Sequence, residues 1–514
     1  MPPAPVDARD QRAAIGIIAV ATALRLAFAA RLPLIPDETY YWDWSRHLAA
    51  GYFDHPPMIA VLIRAGTWLG GLVGVGHTAL AVRLFPVLAG TVAALATTAL
   101  AHRLGGGRAA RIAALVLAVM PLAAGGLVLA TPDAPLLASI ALGLYAVVRA
   151  LESPPRTRAS LAWWCGAGAA LGVAFASKYT AILLPIGLTL AMLLRPGLRA
   201  RLREPGPYLA CLVATLVFLP VLQWNAAHDW TSFRFQFQHG LGPASRGSFL
   251  TREANLVLGQ LALASPILFA LVAAAVWRTL RGPSSEVRFA LATIATASWA
   301  FFVYSALRKS VEANWPAPSY VPAIALLAAL DASGARERWL RRGVVLGATL
   351  SVLLLLGVSY AVFSPALPAS LARIMARSAR EVAQWDTVNA RIAQTSVAGA
   401  GRTWLAADRY QDVSKLAYTL PAQPTVFCLC LGGRQNQYEI WPGFPHRATL
   451  GDALVAVVDE TPGAPDAVQR LTPYFATVRR GALAPLLRQR DTVSVRRLWI
   501  LDGWRGGWPA RAVR

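Results

Sequence analysis

The sequence predicts an α-helical polytopic membrane protein carrying a small C-terminal α/β domain. Three observations carry that prediction. Of 514 residues, 56% are hydrophobic and only 15% are charged, against roughly 25% charged in soluble domains, and the mean hydropathy is +0.47. Apolar runs of about 20 residues, enough to cross a bilayer core at about 1.5 Å per residue, recur along most of the chain. Arginines fill every second loop between those runs, which is the positive-inside pattern. The apolar content excludes a disordered or collagen-like chain. The net charge of +23, from 49 Lys+Arg and 26 Asp+Glu, is in large part a topology signal and does not point to a nucleic-acid partner.

In chain order the runs suggest about eleven spans, near 13–32, 79–101, 109–127, 132–150, 160–176, 178–195, 206–223, 254–277, 286–306, 315–332 and 342–363. Apolar character barely drops across 127–135 and 176–180, so those breaks are the weakest. The polar N-terminus runs into the first span without a small-residue cleavage site, which reads as a retained span. With that N-terminus in the cytoplasm, the inside loops carry Arg103, Arg108 and Arg111; Arg149, Arg156 and Arg158; and Arg195, Arg199, Arg201 and Arg203. They continue with Arg278, Arg281 and Arg288, then Arg336, Arg338, Arg341 and Arg342. The opposite, extracytoplasmic face receives the loops near 33–78, 131–133, 224–253 and 307–316, and the tail. Residues 1–365 are expected to form the membrane domain and 380–514 a soluble α/β domain, with strand-like pieces at Thr425–Leu431 and Leu454–Val458.

Four cysteines are too few for a disulfide framework and leave the redox compartment open. Cys165 and Cys211 lie in apolar runs, and Cys428 and Cys430 alternate in a strand-like run. All four read as small packing residues.

The unusual side chains gather in the extracytoplasmic loops. The first reads Pro36-Asp37-Glu38-Thr39-Tyr40-Tyr41-Trp42-Asp43-Trp44, then Gly51-Tyr52-Phe53-Asp54-His55-Pro56-Pro57. Adjacent acids at a membrane edge mark function as often as they cap a surface helix, and the aromatics also suit an interfacial belt. Thr131-Pro132-Asp133-Ala134-Pro135 is a fair helix start or a second acid of a site. Lys178, in Ser177-Lys178-Tyr179-Thr180, is the only lysine in the first 300 residues. It either snorkels or contacts phosphate. Arg308 and Lys309 precede Asn314-Trp315-Pro316-Ala317-Pro318 and break the charge rule of their face.

Taken together and in order, these motifs resemble the GT-C-fold glycosyltransferases that use polyprenyl-phosphate sugars, in particular the protein O-mannosyltransferase and lipid A aminoarabinose transferase group. The resemblance covers the membrane half well and the tail loosely. It implies that Asp37 is the base that deprotonates an acceptor hydroxyl, with inversion at the anomeric carbon, and that Glu38 and Asp133 belong to the catalytic site. Lys178, Arg308, Lys309 and His55 would face the donor phosphate. Tyr40, Tyr41, Trp44, Tyr179, Asn314 and Trp315 would contact substrate. Where the aminoarabinose transferases carry a Glu-Lys pair before the double proline, with the acid in a metal site and the lysine on phosphate, this chain has Asp54-His55. Asp54, His55 and His239 would then hold a divalent ion such as zinc or manganese, although each histidine also reads as an ordinary interfacial residue. Asp408-Arg409-Tyr410-Gln411 and the 434–441 run are polar-aromatic clusters of the sort that bind sugar or simply cover a solvated surface.

The expected partners are a polyprenyl-phosphate-linked sugar, a lipid, glycan or protein acceptor, and the bilayer of a bacterial inner membrane. The rival reading is a transporter or flippase of a lipid-linked sugar. It does not account for acids placed in loops of one face. A non-catalytic envelope scaffold is the third.

Overall fold

The computed structural model describes residues 5–243, 248–330, 334–364, 376–396, 401–432, 434–460 and 468–511. The chain divides into two units. The first is Met1–Arg31 with Leu48–Gly357, and the second is Leu32–His47 with Val358–Arg514. The segment Leu32–His47, which the sequence groups with the membrane half, thus belongs to the C-terminal unit.

The first unit is a bundle of apolar helices, and the chain is a multi-span membrane protein. Among the described residues, six helices are long and apolar enough to cross a bilayer: Asp7–Arg31, Ala79–Val119, Asp133–Glu152, Pro205–Ala227, Glu286–Ala306 and Glu337–Phe363. The pair Phe249–Ala264 and Pro266–Arg281 makes a seventh if counted together, but it bends by 102°. The runs expected at 160–176, 178–195 and 315–332 are helical as well, as Arg158–Phe175, Tyr179–Leu194 and Ala317–Ala328. Pro266 has no N–H and disfavours helical backbone at the residue before it. Ser265 accordingly takes φ +60° and caps the second helix, which breaks the run expected at 254–277.

Two expected spans, 79–101 and 109–127, share the Ala79–Val119 helix, whose helical dihedrals fail at Gly105 and at Gly106, with φ +72°. Only glycine adopts that conformation cheaply. The Asp7 carboxylate accepts from the Gly107 N–H that the break exposes, and Asp10 pairs with Arg111 at 2.9 Å. The weak breaks are real. The helix ending at Val119 gives way to Pro121–Ala124 and a 3-10 turn before Asp133, and Ala176–Lys178 separates Arg158–Phe175 from the next apolar stretch. The loop expected at 33–78 contains the 15-residue apolar helix Met58–Leu72, and Tyr179–Leu194 and Ala317–Ala328 are also apolar but short.

The second unit is built on a five-stranded sheet in the order β2-β1-β3-β5-β4, where β1 is Thr403–Ala407, β2 Val426–Cys428, β3 Ala453–Asp459, β4 Phe475–Arg488 and β5 Asp491–Trp504. β1 runs parallel to β2 and β3, while β5 pairs antiparallel with β3 and β4. β3 is buried along its whole length, which is why it reads as a continuous apolar run. Phe427, Phe444, Leu454, Phe475, Leu501 and Trp504 form the core. The two expected strands are present as β2 and β3. Cys428 and Cys430 are joined in a disulfide, which corrects their reading as packing residues. Cys430 sits just past β2 at φ +53°, so the chain turns back there and the strand alternation ends.

A buried charge network ties the Tyr410–Thr419 helix to the sheet. Arg496 on β5 grips Asp412 at 2.7 and 3.2 Å and reaches Asp459 at 2.9 Å, while Arg409 holds the other Asp459 oxygen at 2.8 Å. Among the described residues Asp408, just after β1, receives only the Asp459 N–H at 3.4 Å. Burial pushes its carboxyl up to about 7, with Asp412 adding, Arg496 opposing and Asp459 adding again. The folded value lies above the unfolded one, near 4. Folding therefore favours the protonated acid, and stability falls as pH rises from about 4 through 7. Asp408→Asn should flatten that dependence and stabilise this unit at pH 8 by roughly 1–3 kcal/mol. Thermal melts of the purified protein between pH 5 and 8.5 measure it; parallel pH curves for wild type and variant would refute the assignment.

Candidate functional site

In the first unit the motif loops are linked into one chain of contacts. Asp133 opens the Asp133–Glu152 helix, where an acid suits the positive helix end. Its Oδ1 accepts from Lys178 Nζ at 2.7 Å, and its Oδ2 accepts from Asn314 Nδ2 at 2.5 Å. Lys178 reaches it because the break after Phe175 leaves that residue extended, at φ −159° and ψ 136°. Asn314 comes from the turn before Ala317–Ala328. Three stretches far apart in sequence thus meet on one carboxylate, and the two charged side chains are each about one-tenth exposed.

The contacts continue on both sides. Ala176, beside Lys178, accepts from the Met58 N–H at 3.0 Å. Tyr179 shares a hydrogen bond with Ser232 at 3.0 Å, accepts from Asn225 at 3.3 Å and stacks on Phe233 at 4.6 Å. Trp315 lies 5.2 Å from His239, which stacks on Phe235 at 5.4 Å. Phe235 meets Phe53 at 4.8 Å, and Gln236 donates to the Asp54 carbonyl at 2.5 Å. The helix Thr231–Leu241 is therefore the buttress of the Phe53-Asp54-His55 loop. Sequence reasoning singled out its His239 and missed Gln236 and Asn225, which hold Asp54 and Tyr179.

The expected metal centre does not form. Among the described residues no group of three or more His, Cys, Asp and Glu side chains is arranged to hold an ion. Asp54 is buried, at 3% exposed, whereas His239 is exposed and engaged with aromatic rings. Asp54, His55 and His239 do not fit a divalent ion, and no step is routed through one. Arg308 is exposed, with its guanidinium 5.7 Å from the Tyr304 ring centre. The backbone N–H groups of Arg308 and Lys309 close the preceding helix on Ser305 at 2.9 and 2.8 Å.

In the second unit, Asp37 and Glu38 open the helix Pro36–Arg46 and part company. Glu38 is fully buried, and its Oε2 accepts from the Ile35 N–H at 3.0 Å, which satisfies the backbone donor just ahead of the helix. Asp37 is exposed, one residue earlier on the helix. Tyr40, Tyr41 and Trp44 are buried, at 2, 7 and 0% exposed. Tyr40 packs on Tyr410 and Tyr438 at 4.7 and 5.5 Å, so these aromatics form core where the sequence suggested substrate contacts. Asp43 accepts from Tyr438 at 2.8 Å and from Arg46 at 3.2 Å; burial holds its carboxyl above the ordinary range, with Arg46 opposing. Of the 434–441 run, Asn436, Gln437 and Tyr438 are buried, while Arg409, Arg434, Gln435 and Glu439 are exposed.

Two kinds of likeness agree with this architecture. The dolichyl-phosphate-mannose-protein mannosyltransferase family matches residues 54–224, a stretch that starts at Asp54 and includes Asp133 and Lys178. The lipid A galacturonosyltransferase RgtD of Rhizobium johnstonii is 30% identical over 285 residues, 55% of this chain and 58% of that protein. The match thus spans under two thirds of RgtD's length. The crystal structure of ArnT from Cupriavidus metallidurans bound to undecaprenyl phosphate superposes with a TM-score of 0.64 at 18% identity, covering 95% of this chain and 97% of ArnT. The chain has the GT-C fold. The GT-C oligosaccharyltransferase of Archaeoglobus fulgidus is a more distant neighbour, with a TM-score of 0.51 at 13% identity, covering 87% of this chain and 69% of its own.

A buried carboxylate stripped of its cation is costly, by about 3–5 kcal/mol. Lys178→Met should therefore destabilise the first unit by about that much, and adding Asp133→Asn should recover part of the loss. A double-mutant cycle on thermal stability in detergent measures the coupling; additive losses would mean that the pair is not a unit.

Proposed function

We propose that this chain is an inverting glycosyltransferase that moves a sugar from a polyprenyl phosphate to an envelope acceptor on the extracytoplasmic face of a bacterial inner membrane. The observation that carries the reading is the buried Asp133–Lys178–Asn314 cluster, assembled from three separate loops of the GT-C membrane unit. A charge pair at a span end is expensive to keep and reads as functional by default. The acceptor is a lipid, with lipid A favoured by the galacturonosyltransferase likeness, or a glycan or protein.

In this mechanism Asp37 takes the proton of the acceptor hydroxyl. The hydroxyl oxygen bonds to the anomeric carbon from the face opposite the phosphate, and the bond from that carbon to the phosphate oxygen breaks, leaving polyprenyl phosphate. Exposure suits Asp37 to this role, while Glu38 positions it by fixing the first turn of the helix. Lys178 is already committed to Asp133, so its part is to position that acid and the 176–180 loop. Arg308 and Lys309, in the loop before Asn314, offset charge on the departing phosphate. The Cys428–Cys430 disulfide favours an oxidising compartment for the C-terminal unit, in keeping with the Arg-rich alternate loops.

Asp37→Asn keeps shape and loses basicity. It should lower turnover by about 10²–10⁴-fold, the usual worth of a general base, while donor binding changes little. Labelled polyprenyl-phosphate sugar with purified protein and isolated envelope lipids is the assay; near-normal turnover would remove Asp37 from the role, and transport without transfer would favour the flippase. For topology, a reporter after residue 380 should read extracytoplasmic and one after Arg201 cytoplasmic. A cytoplasmic tail would undo the proposed face.

A further inference from the structure

The helix Pro36–Arg46 has 11 residues, fewer than the about 12–15 at which an isolated helix begins to hold in water. Its orientation is therefore set by what it docks on. Toward its C-terminal end, Tyr40 accepts from the Gln437 N–H at 2.6 Å, Tyr438 donates to Asp43, and Arg46 donates to the Gln423 carbonyl at 2.9 Å. Close to Asp37 the docking falls on backbone instead. Ser414 and Lys415, neighbours on the Tyr410–Thr419 helix, are 0 and 4% exposed. The Lys415 ammonium donates to the Leu34 carbonyl. The Ser414 and Thr39 hydroxyls lie 2.9 Å apart, and they stand 3.3 and 2.9 Å from the Pro36 carbonyl.

From the Leu34 carbonyl to the Pro36 carbonyl, every backbone polar group is thereby occupied. Lys415 holds the first, Glu38 accepts from the Ile35 N–H, and the Thr39 N–H donates to the Ile35 carbonyl at 3.2 Å. The two hydroxyls meet the Pro36 carbonyl, and proline has no N–H to satisfy. Asp37 follows directly on this turn. Ser414 and Lys415 bring to it contacts that its own helix cannot supply, and their helix is itself anchored, since Asp412 is gripped by Arg496 of β5. Lysine is seldom taken out of water unless it is paired. Packing of Tyr40 and Trp44 would hold the helix in place without it, but directional hydrogen bonds resist the small rotations and slides that apolar packing permits.

We propose that Ser414 and Lys415 are positioning residues for Asp37, fixing the height and rotation of its turn so that the carboxylate stands where the acceptor hydroxyl gives up its proton. The C-terminal unit thereby takes part in the transfer step. The inference rests on Asp37 being the base. Proton transfer needs an approach of about 2.6–3.2 Å, and a misplacement of about 1 Å costs on the order of 10²-fold in rate.

Turnover of the purified full chain with labelled polyprenyl-phosphate sugar and envelope lipids tests it, with thermal melts of each variant alongside. Ser414→Ala, Thr39→Val and Lys415→Met should each lower kcat by about tenfold or more, at KM values within about twofold of wild type. Thr39→Ser keeps the hydroxyl and should stay within about threefold of the wild-type kcat. Phe444→Leu, in the core of the same unit, should lower the melting temperature at least as much while kcat changes by less than about twofold, which separates positioning from stability. In an Asp37→Asn background, Ser414→Ala should cost less than about twofold further, because no base is left to position. Should Lys415→Met fail to fold, Ser414→Ala and the two Thr39 variants still decide. Near-normal kcat in Ser414→Ala and Thr39→Val, an equal fall in Phe444→Leu, or losses that multiply fully in Asp37→Asn would overturn the inference. Near-normal turnover of Asp37→Asn itself would remove the base and this inference with it, so the two failures are told apart.

Discussion

A carboxylate removed from water at the edge of a bilayer has to find its counter-charge and hydrogen bonds within the protein. Asp133 meets that constraint with one lysine and one asparagine from two other loops, at 2.7 and 2.5 Å, and the arrangement of the membrane unit depends on it. For Lys178 to reach, the helix Arg158–Phe175 has to stop, and the extended residue at the stop does so. For Asn314 to reach, the next span has to begin late, after the turn that ends at Pro316. Breaks that look like weak points of a hydropathy reading are thus the places where polar side chains are delivered.

Charge is handled differently in the C-terminal unit. There Arg496 carries two carboxylates and Arg409 assists, while Asp408 is left with a single long backbone contact. One guanidinium cannot neutralise three acids, and the acid with the fewest donors is the one whose proton affinity rises. This network joins β1, β3 and β5 to the helix between β1 and β2. Within the cluster Asp408-Arg409-Tyr410-Gln411, the two charged residues are thus engaged with the sheet.

The membrane class and the motif set were legible in the sequence because they rest on composition and short local strings. Asp133, Lys178 and Asn314 were each marked, and the structure brings them together. Their partnership was not legible, since no local pattern says that three loops about 45 and 180 residues apart share one carboxylate. Aromatic identity did not disclose the burial of Tyr40, Tyr41 and Trp44. Tyr40 packs against Tyr410 and Tyr438, partners far away in the chain. The bend at Ser265 was readable from Pro266, but a run of apolar residues masked it. The Asp54–His55–His239 centre failed for a related reason: ligand-type residues on neighbouring loops need converging side chains, and His239 is engaged by Phe235 and Trp315 instead.

Arg25 shows what hydropathy conceals in the opposite direction. One arginine in a 27-residue helix barely lowers the mean, so the segment reads as an ordinary first span. Position alone would allow the side chain to snorkel, since the helix end is near. Burial at 3% exposed and a single carbonyl contact exclude snorkelling to water in this structure. Among the described residues the guanidinium is thus held by one carbonyl, with its Nε and Nη1 without a hydrogen-bond partner. A lone buried charge that only destabilised would be replaced at a gain by an aliphatic side chain of similar volume, and the aliphatic walls around it show that such side chains already fit there.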